Sequence, residues 1–425
     1  MASIAVVGTG YVGLTTGAYL AHLGHSVVCG DVDERKVALL RQGIVPILED
    51  GLEALVREGM DGGRLTFVVG AAEAVRQAEA EFVFLCVPTP QGEDGSADLG
   101  YIEAAAETIG PVLQSESVVI NKSTVPVGST LVVERALRRG DVAVVSNPEF
   151  LREGSAVHDC LHPDRIVIGS EDQAAAIRVA SLFSEIKAPV IVTDPASAET
   201  IKYASNAFLA TKISFVNAIA NLCEAVGADV RDVVVGMGYD RRIGFEFLKP
   251  GPGFGGSCFP KDSRALVRIG EDNGYDFSLL RGVIEVNEEQ FERVTAKVAR
   301  MVGGDVAGRK VAVWGLTYKA RTDDTRRSPS LEVIQRLLAR GAEVCAYDPA
   351  AGPIDVPVGR ADDPYAACEG AEVLVVLTEW DEFRWVDLAK VASVMAERRV
   401  VDARNLLDAA AVRRHGFTYE GLGRP

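Results

Sequence analysis

Cys258, in the run Gly253-Phe-Gly-Gly-Ser-Cys-Phe-Pro-Lys-Asp262, is the residue best placed for covalent chemistry in this chain. Glycines let backbone approach a ligand closely and adopt conformations closed to other residues. Pro260, two positions on, suits the first turn of a helix, which would set the thiol near a positive dipole end. That position favours the nucleophilic thiolate. A lone cysteine is ordinarily a small buried hydrophobe. Gly255-Gly256 before it and Lys261-Asp262 after it favour a covalent nucleophile instead.

Gly8-Thr-Gly-Tyr-Val-Gly13 supplies a second kind of chemistry. Ser3–Val7 reads as a strand, Leu14–Leu23 as a helix stopped by Gly24, and Ser26–Gly30 as a strand closing on Asp31. Strand, glycine turn, helix, strand and acidic residue is the dinucleotide-binding order. Gly8, Gly10 and Gly13, with Tyr11 and Val12 between them, permit a tight turn that brings pyrophosphate onto a helix N-terminus. Asp31 follows at the distance expected of a ribose-binding carboxylate, and its charge would repel a 2′-phosphate. NAD is therefore expected over NADP.

These groups need a scaffold. The 425 residues are 48% hydrophobic, enough for two or three domains with real cores. A net charge of −16 argues against a nucleic-acid partner, so an anionic substrate would need local clusters of Arg and Lys. Seven scattered cysteines without CxxC pairs fit reduced thiols in a cytosol. His158 and His162 are four apart but lack a zinc-ligand pattern, and no metal is expected. No apolar run reads as membrane-spanning and no signal segment precedes the first strand, so a cytoplasmic protein without a membrane partner is expected.

Further strands are expected at Leu65–Val69, Phe82–Val87, Ser117–Asn121, Val142–Ser146, Arg165–Ile168 and Val190–Val192, enough for a doubly wound α/β sheet. Ser197–Val226 lacks Pro and Gly and repeats Ile201, Phe208, Phe215 and Leu222 every seven residues. It reads as one helix whose apolar stripe could seat a partner subunit. A second α/β unit follows, with strands at Lys310–Trp314, Val344–Asp348, Val373–Thr378 and Arg399–Asp402 and a helix at Ser330–Arg340. Gly315-Leu-Thr-Tyr-Lys319 leaves its first strand where open α/β sheets bind ligands, and Arg321, Arg326 and Arg327 follow.

Five motifs occur here in one order: Gly8–Gly13, Lys122-Ser-Thr-Val-Pro-Val127, Asn147-Pro-Glu-Phe-Leu-Arg-Glu-Gly154, Glu199-Thr-Ile-Lys-Tyr-Ala-Ser-Asn206, and Arg242-Ile-Gly244 ahead of Phe254–Asp262. Together they resemble the UDP-glucose/GDP-mannose dehydrogenase family over about residues 3–405. The resemblance implies two Rossmann-like doubly wound domains joined by a long central helix. Residues 1–193 would bind NAD, 194–300 would form the central and dimerisation region with the cysteine loop, and 301–425 would bind a UDP-sugar. It implies oxidation of a sugar-nucleotide primary alcohol to a carboxylate, with two NAD reduced per sugar.

In that chemistry a thiolate adds to the C6 aldehyde, and the thiohemiacetal is oxidised to a thioester that water releases. The resemblance makes Cys258 the nucleophile and Lys202 with Asn206 the oxyanion donors. Asp262 would accept a proton and orient Lys202. Glu149 would position water or thioester, Glu153 would lie by nicotinamide and substrate, and Thr124 would contact water and cofactor. Lys36, Val87, Thr89, Lys261 and Arg326 would add cofactor contacts. Phe150, Leu151, Arg242, Phe247, Leu248, Lys249, Gly255, Tyr318, Lys319 and Arg404 would hold the substrate. The Arg242–Asp262 stretch looks most like the UDP-glucose branch, with GDP-mannose and UDP-N-acetylmannosamine as alternative substrates. A non-catalytic NAD or nucleotide sensor on the same scaffold is the competing class. Cys258, Lys202 and Asp262 together argue against it.

Overall fold

Short β-branched runs form the first sheet because both of its faces are covered. The computed structural model describes residues 1–90, 92 and 97–424. They divide into two compact units, Met1–Ser205 and Asn206–Pro425. In the first, strands β1 (Ser3–Val7), β2 (Ser26–Asp31), β3 (Leu65–Val69), β4 (Phe82–Leu85), β5 (Val118–Asn121), β6 (Ala143–Ser146), β7 (Ile166–Gly169) and β8 (Val190–Thr193) pair in the order β3-β2-β1-β4-β5-β6-β7-β8. The pairs through β6 are parallel, β7 meets β6 antiparallel at Ser146 and Gly169, and β8 is again parallel to β7. Ile4 and Val6 face one core with Leu14 and Leu20, while Ala5 and Val7 face another with Ile102 and Ile109. That alternation is the two-residue period of a strand buried on both sides.

The second unit repeats the pattern. Strands β9 (Lys310–Trp314), β10 (Glu343–Tyr347), β11 (Gly359–Arg360), β12 (Val373–Val376), β13 (Arg399–Asp402) and β14 (Thr418–Gly421) form an all-parallel sheet ordered β11-β10-β9-β12-β13-β14. Helices Ser278–Met301 and Pro329–Ala339 bury Val294, Val298, Val333 and Leu337 against one face. A smaller core of Ala207, Ala210, Phe254, Val267 and Leu280 lies under the cysteine loop.

Several expectations shift. The first helix begins at Tyr11, not Leu14, so Val12 and Gly13 are helical despite glycine's poor propensity. β11 and β14 were not expected; each is a short edge strand with too few apolar residues to show in sequence. The long helix is Pro195–Val226, about 48 Å at 1.5 Å per residue. It is also long and apolar enough, by length and composition, to cross a membrane, at a mean hydropathy of 1.2. The expectation of no such run is corrected on that point: its charged residues are few and spaced apart. Its aromatic stripe faces outward, with Phe208, Phe215 and Leu222 exposed, while Lys202, Asn206, Ser214 and Asn217 are buried.

Candidate active site

The first unit gathers the residues expected to bind cofactor at the carboxyl ends of β1, β2, β4 and β5. Gly8 adopts φ +93°, and a Cβ there would stand 2.7 Å from the Cys86 carbonyl oxygen. A Cβ on Gly13 would lie 1.9 Å from the Gly8 carbonyl oxygen, so only glycine permits the turn. Around Gly10 nothing lies within 4 Å of an added Cβ, and no side chain caps the helix that starts at Tyr11. That is an open helix N-terminus suited to pyrophosphate.

Asp31 Oδ2 accepts from Thr9 N at 2.8 Å, Thr9 Oγ1 at 2.6 Å and Lys36 Nζ at 3.1 Å, and Oδ1 from Asp33 N at 3.0 Å. Burial alone would push this carboxyl up; Thr9, the Asp33 N–H and Lys36 reverse that and bring it down to about 2. It stays ionised, with acceptor capacity left on Oδ1 for a ribose hydroxyl. These features fit NAD. Thr89 Oγ1 donates to the Thr124 carbonyl at 2.8 Å, and Ser123 Oγ to the Val87 carbonyl at 2.7 Å, tying together the loops after β4 and β5 that are expected to contact cofactor.

Lys202 and Glu149 meet in the same unit. Lys202 Nζ lies 2.7 Å from Glu149 Oε1 with both side chains buried, and Leu151 N donates to Glu149 Oε2 at 2.7 Å. Burial pushes the Glu149 carboxyl up; the Lys202 charge and hydrogen bond, the Leu151 N–H and Lys122 outweigh it and hold the group below its ordinary value. The Phe150 ring stacks under the Arg165 guanidinium at 3.6 Å and lies 5.5 Å from the Lys202 ammonium. Breaking one partner of such a buried pair strands the other charge, at a cost of about 3–5 kcal/mol.

The second unit holds the thiol and the residues expected at the nucleotide end. Cys258 is half-buried at the N-cap of helix Phe259–Asp272, with Pro260 in its first turn. Asp262, one turn on, is fully buried; Asn206 Nδ2 donates to its Oδ2 at 2.6 Å and Lys261 Nζ lies 2.8 Å from Oδ1. Gly255 and Gly256 pack against Arg327 backbone and the Tyr318 ring, where a Cβ would stand at 2.2 and 2.9 Å. Gly251 is beside Arg404, which donates to the Leu377 carbonyl at 2.8 Å and the Tyr318 carbonyl at 3.0 Å. Lys319 sits 5.2 Å from the Tyr318 ring. Leu248 is buried, and Phe247 takes a left-handed φ of 61°. The loop thus meets Tyr318 and Arg404, residues some 60 to 150 positions away in sequence.

Other expected residues stand apart from these clusters. Arg242 is exposed and held by Asp240 at 2.6 Å, Arg326 is exposed and held by Asp324 at 2.8 Å, and Lys249 is exposed. Three buried amides went unnoticed in the sequence. Asn217 Oδ1 accepts from Gly251 N at 2.8 Å, Gln290 Nε2 donates to Gly251 O at 3.0 Å, and Asn287 accepts from Phe254 N at 2.7 Å. They satisfy the glycine loop's backbone. Glu199 opens one of the five motifs but had no role assigned; it accepts from Gly128 N at 2.6 Å and from Thr130 N at 3.0 Å, fixing the loop that carries Thr124. Among the described residues no cluster of His, Cys, Asp and Glu could hold a metal ion.

A dinucleotide turn and a half-buried thiol at a helix N-cap are the features expected of a dehydrogenase that also uses a thiol. Comparison identifies the kind. The NAD-binding, central and UDP-binding domains of the UDP-glucose/GDP-mannose dehydrogenase family match residues 2–187, 196–289 and 312–409. The chain belongs to that family, and NAD is its cofactor. It is 46% identical over 435 residues to UDP-glucose 6-dehydrogenase TuaD of Bacillus subtilis, covering 100% of this chain and 94% of that one. The solved UDP-glucose dehydrogenase of Pyrobaculum islandicum superposes with a TM-score of 0.92 at 39% identity, covering 100% of this chain and 98% of that one. The UDP-D-ManNAc dehydrogenase of Pyrococcus horikoshii gives 0.89 at 28% identity, covering 99% of each.

Proposed function

We propose that the chain is an NAD-dependent UDP-glucose 6-dehydrogenase, oxidising UDP-glucose to UDP-glucuronate in two steps through Cys258. The observation that carries this reading is the half-buried Cys258 at a helix N-cap beside a buried Asp262. Bound NAD supplies the hydride acceptor for each oxidation. Asp262 takes the proton of the C6 hydroxyl, directly or through water. Lys202 and Asn206 stabilise the oxygen as charge develops on it. The Cys258 thiolate adds to the resulting aldehyde, and loss of the second hydride leaves a thioester. Water, oriented by Glu149 and Thr124, displaces the thiolate and yields the carboxylate. The lowered Glu149 carboxyl supports an ionised partner for Lys202.

Residues 318–319 and 404 bind the nucleotide end, and Arg242 and Arg326 serve substrate and cofactor on release from Asp240 and Asp324. The division into 1–193, 194–300 and 301–425 assigns cofactor, linking and UDP-sugar roles in turn. Seven free cysteines support a reducing cytosol. The outward Phe208, Phe215 and Leu222, inverted from the usual helix pattern, seat a second copy of the chain.

Identity with the UDP-glucose enzymes favours glucose over N-acetylmannosamine. A panel of UDP-glucose, UDP-N-acetylmannosamine and GDP-mannose, scored by NADH formed, tests the substrate; strongest turnover with either alternative would overturn the choice. Sedimentation of Phe208→Glu/Phe215→Glu should show the monomer, and an unchanged dimer would remove the helix from the interface.

A further inference from the structure

Glu49 is buried in a loop whose neighbours Leu48 and Asp50 are exposed. Putting leucine in water and a carboxylate inside is costly unless that carboxylate has dedicated donors. Glu49 has them, and they come from two separate parts of the site. The Tyr11 hydroxyl, on the first turn of the cofactor helix, donates to Glu49 Oε2. Gly154 N, closing the Asn147–Gly154 segment, donates to the same oxygen at 2.6 Å and lies 3.0 Å from the Tyr11 oxygen. Val157 N lies 3.5 Å from Glu49 Oε1. Burial, together with Glu49 as hydrogen-bond partner and neighbouring charge, raises the Tyr11 phenol far above its usual range, so it remains a donor.

We infer that Glu49 is a positioning residue that couples the cofactor side of the site to the substrate side. This rests on the reading of Tyr11 as a cofactor contact and of Glu149–Glu153 as substrate contacts. Glu49 touches neither ligand. It fixes the distance between the helix turn that receives NAD and the backbone that aims Glu149 and Glu153. Movement of Tyr11 on cofactor binding is thereby transmitted to Gly154, and a free carboxylate elsewhere in the loop would not do this.

The test uses the full-length protein, with NADH and UDP-glucose as probes. Glu49→Ala should weaken both NADH and UDP-glucose roughly tenfold by titration calorimetry, with Glu49→Gln restoring most of the loss because its amide oxygen still accepts from Gly154 N. Tyr11→Phe, a change on the cofactor side that leaves packing intact, should weaken UDP-glucose at least threefold. In the Glu49→Ala background it should add nothing. A role confined to stability would lower Tm and leave both affinities unchanged. Hydrogen exchange provides an arm independent of the sugar. NADH should slow exchange across residues 152–157 in the unmodified protein and fail to do so in Tyr11→Phe. Independent, multiplying effects of the two substitutions, or NADH protection of 152–157 that survives Tyr11→Phe, would overturn the coupling. Failure of the unmodified protein to bind UDP-glucose would instead refute the substrate assignment, and the exchange arm would still decide the role of Glu49.

Discussion

The two sheets begin alike and then part. Gly8 N donates to the Gly30 carbonyl and Gly315 N to the Tyr347 carbonyl, both at 2.8 Å, and each glycine has a positive φ, +93° and +99°. Each first strand is followed across the sheet by an aspartate, Asp31 or Asp348, that accepts from the turn after the glycine. In the first sheet the helix starts at once, at Tyr11, and Asp31 keeps an oxygen with one donor. In the second no helix starts until Pro329. Asp348 is saturated: Oδ2 accepts from Leu316 N, Thr317 N, Thr317 Oγ1 and Trp380 Nε1, and Oδ1 from Ala350 N and Ala351 N. One scaffold therefore presents a ligand-ready carboxylate and a helix dipole. The other uses its carboxylate as an internal lock and opens a loop carrying Tyr318, Lys319, Arg321, Arg326 and Arg327. The strand order sets where ligands bind, and the first ten residues after the glycine set which ligand.

If both sheets only bind, the largest loss must come from residues belonging to neither. Cys258→Ser should reduce acid formation by roughly a thousandfold or more while UDP-glucose binding persists, because an alcohol does not form the thioester at useful rates. Near-normal turnover, followed as steady-state NADH, would return Cys258 to the role of packing residue. Lys202→Ala should cost turnover roughly a hundredfold, as loss of an oxyanion donor does. It also strands the buried Glu149 charge, so the comparison is made at equal folded fraction by circular dichroism.

The mirrored pair sharpens the contrast between sheets. Asp348→Ala should cost about 2 kcal/mol of stability, from buried donors left unpaired, and leave the NAD dissociation constant unchanged. Asp31→Ala should do the reverse in kind, narrowing an NAD over NADP preference of about tenfold, or about 1.4 kcal/mol. Equal use of both cofactors by the unmodified protein would remove Asp31 from the ribose. The smallest effect expected is with pH. The Asp31 carboxyl is depressed to about 2 from an ordinary value near 4, so its contribution to stability is complete above about pH 4 and declines only as pH falls toward 2. Cofactor preference should therefore be flat from about pH 5 to 9. A preference that decays near pH 6 would assign it to another group.

Much of this was legible in the chain. The glycine turn, the alternating strands and the thiol in its Gly-rich run each depend on local spacing, which sequence displays directly. Asn217, Asn287 and Gln290 do not: an amide on a helix reads as solvated surface, and only the fold shows that it faces the 251–254 backbone. The burial of Glu49 and of Glu199, the latter already part of a motif, was hidden for the same reason, since it is decided by donors about 70 to 105 residues away. The saturation of Asp348 was likewise invisible, because Trp380 reaches it from another strand's loop.

The central claim is that this thiol carries the sugar through a second oxidation. Limiting UDP-glucose with excess NAD, followed at the NADH absorbance to completion, measures it directly. Two NADH per UDP-glucose, with UDP-glucuronate as the product, is the predicted result. One NADH per sugar with free aldehyde accumulating would contradict it.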